Sequence, residues 1–392
     1  MTKQEYKAEV QEELKNILDY WMKHTVDVAN GGFVGRVNND NEVDVKAPKG
    51  SVLNSRLLWT FSAAYNLNKN VQYLQMAERA YKYIRNYFID KKFGGVYWTV
   101  DHRGDALDTK KQVYALSFAI YGLSEYAKAA EDNDAKELAI SLYKDILKHS
   151  YDSKYGGYIE AYTREWQEIE DLRLSDKDAN EKKTMNTHLH VLEGFANLYR
   201  VWPDAGLKEK IAELIHNFLD HIIDKETNHL RLFFSEDWTS KGNMVSYGHD
   251  IEAAWLVHEA AEIIQDHNLV QALKEKAKTL ADAAARGLDK DGGLWYEKEG
   301  EHLVKEKHWW PQAEAMVGFY NAYQVSDEED YLQKSIASWQ FIKRHIKDHN
   351  KGEWYWGVTE DYSIMEGQDK AGLWKCNYHN GRACIEIINR IK

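Results

Sequence analysis

The sequence predicts an all-α protein, an (α/α)6 barrel: a six-hairpin toroid of twelve helices, with short β-hairpin and loop elements on one rim. Three observations predict it. A glycine–aromatic motif recurs six times, the stretches between its copies carry a helical period, and the only three prolines stand at the edges of those stretches. Repeats at a fixed spacing decide an architecture before any single element does.

The motif reads GGFVGRV from Gly31, FGGVYWTV from Phe93, YGGYIEAY from Tyr155, DGGLWYE from Asp291 and KGEWYWGV from Lys351. A degenerate copy, NHLRLFF from Asn228, fills the one gap, so the copies follow one another at roughly 60 to 70 residues. Each reads as a tight glycine turn entering a short strand. Apolar residues at helical spacing place helices near 3–24, 51–67, 71–89, 111–130, 134–149, 186–201, 206–222, 249–265, 268–287, 311–325, 328–346 and 378–391. Pro48, Pro203 and Pro311 each fall at an edge of this pattern, where proline is tolerated.

Each unit is then a helix, a glycine–aromatic turn and a second helix. An open solenoid of helix pairs is the structural rival. A copy number of six, and second helices rich in aromatic and small residues, favour a closed ring with those second helices inside. No Pro/Ser/Gly-rich linker divides the chain, so one domain over 1–392 is expected.

Composition narrows the function. The 392 residues are 44% hydrophobic and 29% charged, an ordinary globular balance. A net charge of −12 would repel a polyanion, which argues against nucleic acid as a partner. The N-terminus, MTKQEYKAEVQEELK, is charged and has no apolar h-region, and no window is apolar enough for a membrane span. Cys376 and Cys384 are too few for a disulfide framework, in keeping with a cytoplasmic protein. Aromatic residues reach 13%, with 14 Trp and 25 Tyr; a core filled with large rings accounts for most of them, and some are expected to line a site. Flat rings with polar tips suit a carbohydrate pocket.

The chemistry-bearing residues cluster where each second helix begins: NSRLLW (Asn54–Trp59), QVYAL (Gln112–Leu116), MNTHLHVLEG (Met185–Gly194), GHDIEAAW (Gly248–Trp255), HWWPQAEA (His308–Ala315) and WKCNYHNGR (Trp374–Arg382). In a toroid these six starts open on one rim, so their polar groups converge. Asn186, His190, Glu193 and Asn197 recur at i, i+4, i+7 and i+11 and form one polar stripe. His188, two residues from His190, points to another side of the helix and is expected to be secondary. His249 and Glu252 share a face, which makes them either a salt bridge or a base tuned by a carboxylate. His379 stands at a helix start, where the dipole tends to keep an imidazole neutral.

No HExxH, paired CxxC or acidic calcium loop occurs, and neither does a glycine-rich phosphate loop, so no metal and no cofactor is expected. Histidines, Arg56 as the pocket's one arginine, tryptophans and a few carboxylates suit proton abstraction beside a carbonyl. The polar segment from Tyr158 to Thr184 is long for a connection and is expected to overhang the pocket as a partial lid.

MNTHLHVLE, SYGHDIEAAW, WWPQAEA and WKCNYHNGRA, in this order, resemble the signatures of cellobiose 2-epimerases, within the N-acylglucosamine 2-epimerase superfamily. The resemblance runs from about Ala47 to the C-terminus, and that family's (α/α)6 barrel agrees with the repeat pattern. It implies His249 and His379 as the acid/base pair, with His190 and Arg56 holding the oxygens of the opened sugar. It further implies Tyr114, Asn186, Glu252 and Glu314 around the reducing-end sugar, and Trp309, Trp310 and Trp374 packed on sugar rings. Family resemblance also points to a monomer.

The implied reaction inverts C2 of an aldose through a cis-enediolate, with His379 as base and His249 as acid in one direction. A mannose 2-epimerase or an aldose–ketose mannose isomerase would use the same intermediate. An (α/α)6 glycoside hydrolase would instead need two carboxylates, such as Glu252 and Glu314 or Asp250, about 5 to 9.5 Å apart across a bond. A non-catalytic helical scaffold would have the concave surface without proton exchange.

Overall fold

The computed structural model describes all 392 residues, and its helices number twelve. They are α1 (Lys3–His24), α2 (Ser51–Asn68), α3 (Val71–Tyr83), α4 (Val113–Ala130), α5 (Asn133–His149), α6 (Met185–Val201), α7 (Ala205–Asn217), α8 (Tyr247–Ile263), α9 (His267–Ala285), α10 (Trp309–Ser326), α11 (Glu329–Phe341) and α12 (Tyr378–Arg390). The even-numbered helices form a closed inner ring: α2 packs on α4, α4 on α6, α6 on α8, α8 on α10, α10 on α12, and α12 returns to α2. The odd-numbered helices form the outer layer, α1 closing the gap against α12. That last contact excludes an open solenoid.

Burial separates the layers as the sequence pattern requires. Inner α4 is buried at nearly every position, because it is covered by neighbours, by an outer helix and by the barrel interior. Outer α5 buries one stripe, including Ala139, Leu142, Tyr143 and Ile146. Most outer helices start on a side-chain cap: Asn70, Asp132, Asp204 and Asp266 each accept from a first-turn N–H. Three of them, α3, α7 and α11, end in a π turn, Ile84–Phe88, Phe218–Ile222 and Ile342–Ile346. These account for the longer outer helices expected near 71–89, 206–222 and 328–346.

The glycine motif forms an aspartate-opened turn in all six repeats, one residue shorter in the fifth, where Asp289 bonds Gly293 and Gly292. An aspartate opens it, its N–H and C=O bonding across the loop, as in Asp27 with Gly32 and Gly31, or Asp152 with Gly157 and Gly156. Each turn has a residue of positive φ, among them Gly31 (80°), Gly94 (77°), Gly156 (73°), Gly292 (92°) and Gly352 (79°), and in four turns the next residue is positive too: Gly32, Gly95, Gly157 and Glu353. In the degenerate fourth copy Asn228 takes that place with φ 60°, and asparagine is the side chain that best tolerates the left-handed region. The copy is degenerate in sequence and intact in conformation.

The strand after each turn pairs outside its own repeat. Lys49–Gly50 runs antiparallel to Thr99–Val100, Lys111–Gln112 to Ala161–Tyr162, Lys183–Thr184 to Phe233–Phe234, Met244–Ser246 to Glu297–Glu299, and Lys307–His308 to Gly357–Val358. Val37–Asn38 with Asp369–Ala371 closes the circle. These six staples tie the start of each inner helix to the next repeat. A buried ion pair reinforces most of them, the turn aspartate meeting a lysine just before the inner helix. The pairs are Asp27–Lys49 (2.8 Å), Asp90–Lys111 (3.0 Å), Asp152–Lys183 (2.7 Å), Asp289–Lys307 (2.8 Å) and Asp348–Lys370 (2.7 Å). In the fourth repeat Val245 occupies the lysine position, and Asp224 pairs with Arg231 at 2.6 Å instead. No helix is long and apolar enough to cross a membrane.

Candidate active site

The inner-helix starts meet at one end of the barrel, and five of the six carry no side-chain cap. Only Thr184 caps its helix, α6. The N-terminal ends of six helix dipoles therefore surround the opening, which favours negative charge there. A cavity of about 210 Å³ lies at this end, with Asn186, His249 and Tyr296 among its walls and Leu172–Ser175 and Lys177–Ala179 of the long segment over it. The segment stays in place because Leu172 and Leu174 are buried and Gln112 donates to the carbonyls of Leu172 and Arg173. The expected partial lid is thus an ordered cover.

His379 of α12 and His249 of α8 pack against the same indole, that of Trp310, with ring centroids 5.7 and 4.7 Å away. Each imidazole is anchored through Nδ1, and neither Nε2 has a protein partner. The anchors differ. His379 Nδ1 lies 2.7 Å from Glu314 Oε1, whereas His249 Nδ1 lies 2.8 Å from the Ser246 hydroxyl. A carboxylate only accepts, so His379 carries its proton on Nδ1 and presents a lone pair at Nε2. A hydroxyl donates or accepts, so Ser246 allows His249 either tautomer.

His190 of α6 is set by Glu193, whose Oε2 is 2.8 Å from Nδ1. Its Nε2 too is free. Arg56 of α2 is 3% exposed, donates to the Tyr114 hydroxyl (2.7 Å) and the Trp374 carbonyl (3.1 Å), and lies over the Phe118 ring at 4.2 Å. It forms no ion pair. A buried guanidinium without a carboxylate is costly unless something anionic arrives beside it.

Behind the histidines sits Arg382, one α-turn after His379. One Nη donates to Glu252 and Glu314, each at 2.6 Å, and the other contacts Glu193 and the Tyr378 hydroxyl. Trp255 Nε1 donates to the second oxygen of Glu314 at 3.1 Å. Three donors thus converge on Glu314 and favour its ionised form, although burial still holds its carboxyl above the ordinary value. Burial would raise Glu193 also, but Arg382 and then His190 outweigh it and hold it at about 2. Burial and the neighbouring Glu314 push Glu252 up to about 8, so it is protonated at neutrality. Two arginines and two carboxylates then balance.

Burial, then Arg56 and Arg382, hold His379 well below the usual imidazole range. Burial takes His249 down to about 3 and lowers His190 despite Glu193. All three imidazoles are neutral at pH 7 and free to accept a proton. For His379 the expected cause was the helix terminus, and the larger causes are burial and two guanidinium groups.

Several expectations need correcting. His249 and Glu252 share a helix face but form no pair, because Arg382 holds Glu252 and Ser246 holds His249. Glu252 and Glu314, each 1% exposed, stand behind the histidines instead of lining open space. Their ligand atoms, with that of His379, lie within 4.8 Å of one another, closer than a hydrolase pair, and the guanidinium of Arg382 fills the cation position between them. Asp250 faces outward, accepting from the Leu230 N–H and contacting His229 at 2.6 Å. Trp309 is buried against Trp356 at 4.4 Å, so its ring faces protein. Trp310 and Trp374 are half-buried, Trp374 packing on Trp98 at 5.6 Å.

His188 is structural. Its Nδ1 contacts the Thr184 carbonyl (2.7 Å), and its Nε2 accepts from the Tyr158 N–H (2.9 Å), which braces the glycine turn. Asp250 and Gln312 hold the Leu230 and Leu294 N–H groups from the equivalent helix position. The stripe Asn186–His190–Glu193–Asn197 runs the depth of the barrel: Asn186 lines the rim cavity, while Glu193 and Asn197 border a separate cavity of about 400 Å³ at the far end.

Sequence reasoning missed Arg382, Tyr378 and Ser246, and counted Arg56 as the pocket's one arginine. The signal for Arg382 was its spacing, three residues after His379 and four after Tyr378 on one helix.

Comparison with known proteins agrees with this geometry. The N-acylglucosamine 2-epimerase family matches residues 31–383. A cellobiose 2-epimerase of Bacteroides fragilis is 52% identical over 385 residues, covering 97% of this chain and 98% of its own. One from Dictyoglomus turgidum is 38% identical over 390 residues, covering 98% of each. The solved cellobiose 2-epimerase of Bacillus thermoamylovorans superposes with a TM-score of 0.94 at 40% identity, over 99% of this chain and 100% of that one. With its repeats, ring and histidine-lined rim, this chain belongs to the N-acylglucosamine 2-epimerase family.

Proposed function

We propose that the protein is a cellobiose 2-epimerase, an isomerase that reversibly inverts C2 of the reducing-end glucose of β-1,4-linked disaccharides. Cellobiose would give glucosyl-mannose, and lactose would give epilactose. One observation carries the chemistry: two neutral imidazoles from different inner helices share the Trp310 indole, each with a free Nε2. Inversion requires a proton to leave one face of C2 and return to the other, which two separately mounted bases accomplish.

In this reading the open-chain aldehyde acidifies the C2 proton, and Nε2 of His379 removes it. The imidazolium formed is stabilised by Glu314 through Nδ1–H, much as a carboxylate supports a catalytic histidine elsewhere. The cis-enediolate is held by Arg56, whose charge no carboxylate neutralises, with the inner-helix dipoles adding to the field. His190, with its proton directed to Glu193, serves as an acceptor for a sugar hydroxyl. Once the enediolate's negative charge stands beside it, His249 takes a proton from solvent, delivers it to the opposite face of C2 and returns to neutral, while His379 gives its proton back to solvent; the flexible partnership with Ser246 suits a group that both gives and takes. Trp310 and Trp374 offer ring surface to the sugar, and Asn186 and Tyr114 offer polar contacts.

Incubation with cellobiose in D2O tests the reading. The expected product is glucosyl-mannose deuterated at C2. A ketose product would make the enzyme an aldose–ketose isomerase, and turnover of mannose alone would make it a monosaccharide enzyme.

A further inference from the structure

Resting on that reading, we propose that Arg382 is the positioning residue of the reaction: one guanidinium fixes Glu193 and Glu314, and through them sets the ring nitrogens of His190 and His379 together. The geometry leaves little choice. Arg382 is 1% exposed and sandwiched between the rings of Tyr378 and Trp255, 4.3 and 4.9 Å from its carbon. From there it reaches carboxyl groups on three other inner helices, α6, α8 and α10. Two of these carboxylates have a second task. Glu193 holds His190 Nδ1 and Glu314 holds His379 Nδ1. The chain His190–Glu193–Arg382–Glu314–His379 therefore crosses the barrel interior without a gap.

Each link needs what only a guanidinium supplies. A planar fork donates to several carboxylates at once and stays charged, whereas an ammonium is a single point with three donors. Removal of the fork would leave three buried carboxyls close together, and such groups protonate rather than ionise side by side. A protonated Glu193 or Glu314 would donate to Nδ1 instead of accepting from it, turning the imidazole to its other tautomer. The lone pair at Nε2 would be lost. His379 is faced by Arg56 from α2, His190 and Glu193 from α6, Glu252 from α8 and Glu314 from α10, so Arg382 is one of two cations near it but the only one joined to its carboxylate. Arg382 does not reach the substrate pocket itself, which is why it is a positioning residue and not a catalytic one.

The test is Arg382→Lys in the full chain, read in two ways. With cellobiose, kcat is expected to fall about 100-fold while KM stays within about threefold, because chemistry and not binding is affected. Independently of any substrate, 15N spectra at pH 7 should show His190 and His379 both protonated at Nδ1 in the unaltered protein, and mixed tautomers at both in the variant. Glu193→Gln should lower kcat as well, and the double variant should be no worse than the weaker single one, since both break one chain. If Arg382→Lys does not fold, Tyr378→Phe, which removes one contact of the guanidinium and one donor to Glu193 while keeping the charge, should lower kcat about tenfold with KM unchanged. Unchanged kcat and tautomers in Arg382→Lys, or a Tyr378→Phe protein with full kcat where that variant must decide, would overturn the proposal. Multiplicative losses in the double variant would do so too. An unaltered protein that exchanges no C2 proton would sink the proposed function and leave the imidazole spectra to judge Arg382.

Discussion

His379 and His249 stand on the two inner helices that flank α10, against its one indole, and what lies behind them differs. Behind His379 is a charged, fully buried network: Glu314, Glu252, Arg382 and Glu193. Behind His249 is a single serine hydroxyl. The first arrangement dictates one tautomer, and the second permits two. The difference teaches that a symmetric fold can carry an asymmetric proton-transfer device, because each repeat contributes its own partner to a shared rim.

Breaking the stronger side should cost most. His379→Ala is expected to lower C2 deuterium exchange by about 10⁴-fold, since the base itself is lost. An exchange rate near that of the unaltered protein would move the base to another residue. The partners should then rank by their chemistry. Glu314→Gln is expected to cost about 100-fold in kcat, because an amide turned toward Nδ1 no longer enforces the tautomer. Ser246→Ala should cost less than about tenfold, the value of one neutral hydrogen bond. Equal losses in the two variants would erase the asymmetry.

The pH dependence sharpens the same contrast. Both imidazoles lie below their ordinary value, His249 at about 3, so kcat/KM should hold level from pH 7 down to 6 and fall only at lower pH, where His379 protonates. A fall beginning near pH 7 would mean that the base is not buried as described.

The smallest effect concerns stability. His188, His190, His249 and His379 all have folded values lowered by burial, so the unfolded chain binds protons that the folded one does not. Stability is therefore complete above about pH 6.5 and declines below it, each such histidine contributing on the order of 1.4 kcal/mol per pH unit. His188→Gln should flatten that decline by one histidine's share while leaving kcat intact. Gln312 already braces its turn from the equivalent helix position, so glutamine suits the place. Thermal unfolding at pH 7 and pH 5 would register it, and an unaltered slope would show that His188 protonates in the folded state.

The repeat was legible because it is a property of spacing. Each of the six turns needed at least one residue able to adopt positive φ, and glycine in five of them and Asn228 in the other announced it. Amphipathic and all-apolar stretches told outer helices from inner ones, since a helix covered on every side has no polar face to show. The candidate histidines were legible also, as polar residues at the starts of otherwise apolar helices. The buried aspartate–lysine staples were in plain view, an aspartate before each turn and a lysine before five of the inner helices, yet their sequence separation hid them.

Partner choice was another matter. Glu252 follows His249 by three residues and pairs with Arg382, 130 positions away. His379 finds its carboxylate 65 residues back, on α10. Sequence spacing governs contacts within a helix, and a ring of six helices sets each inward side chain against others beside it and across it, in a register no local pattern records. The sequence by itself determined twelve helices, six turns and a rim of histidines, because these depend on local conformation and periodic burial. Only the tertiary structure decided that Arg382 stands at the centre, that Glu314 serves His379, and that Arg56 has its charge free. Those facts arise where helices distant in the chain bury charged groups together, and each charge takes the nearest partner that removes its desolvation cost.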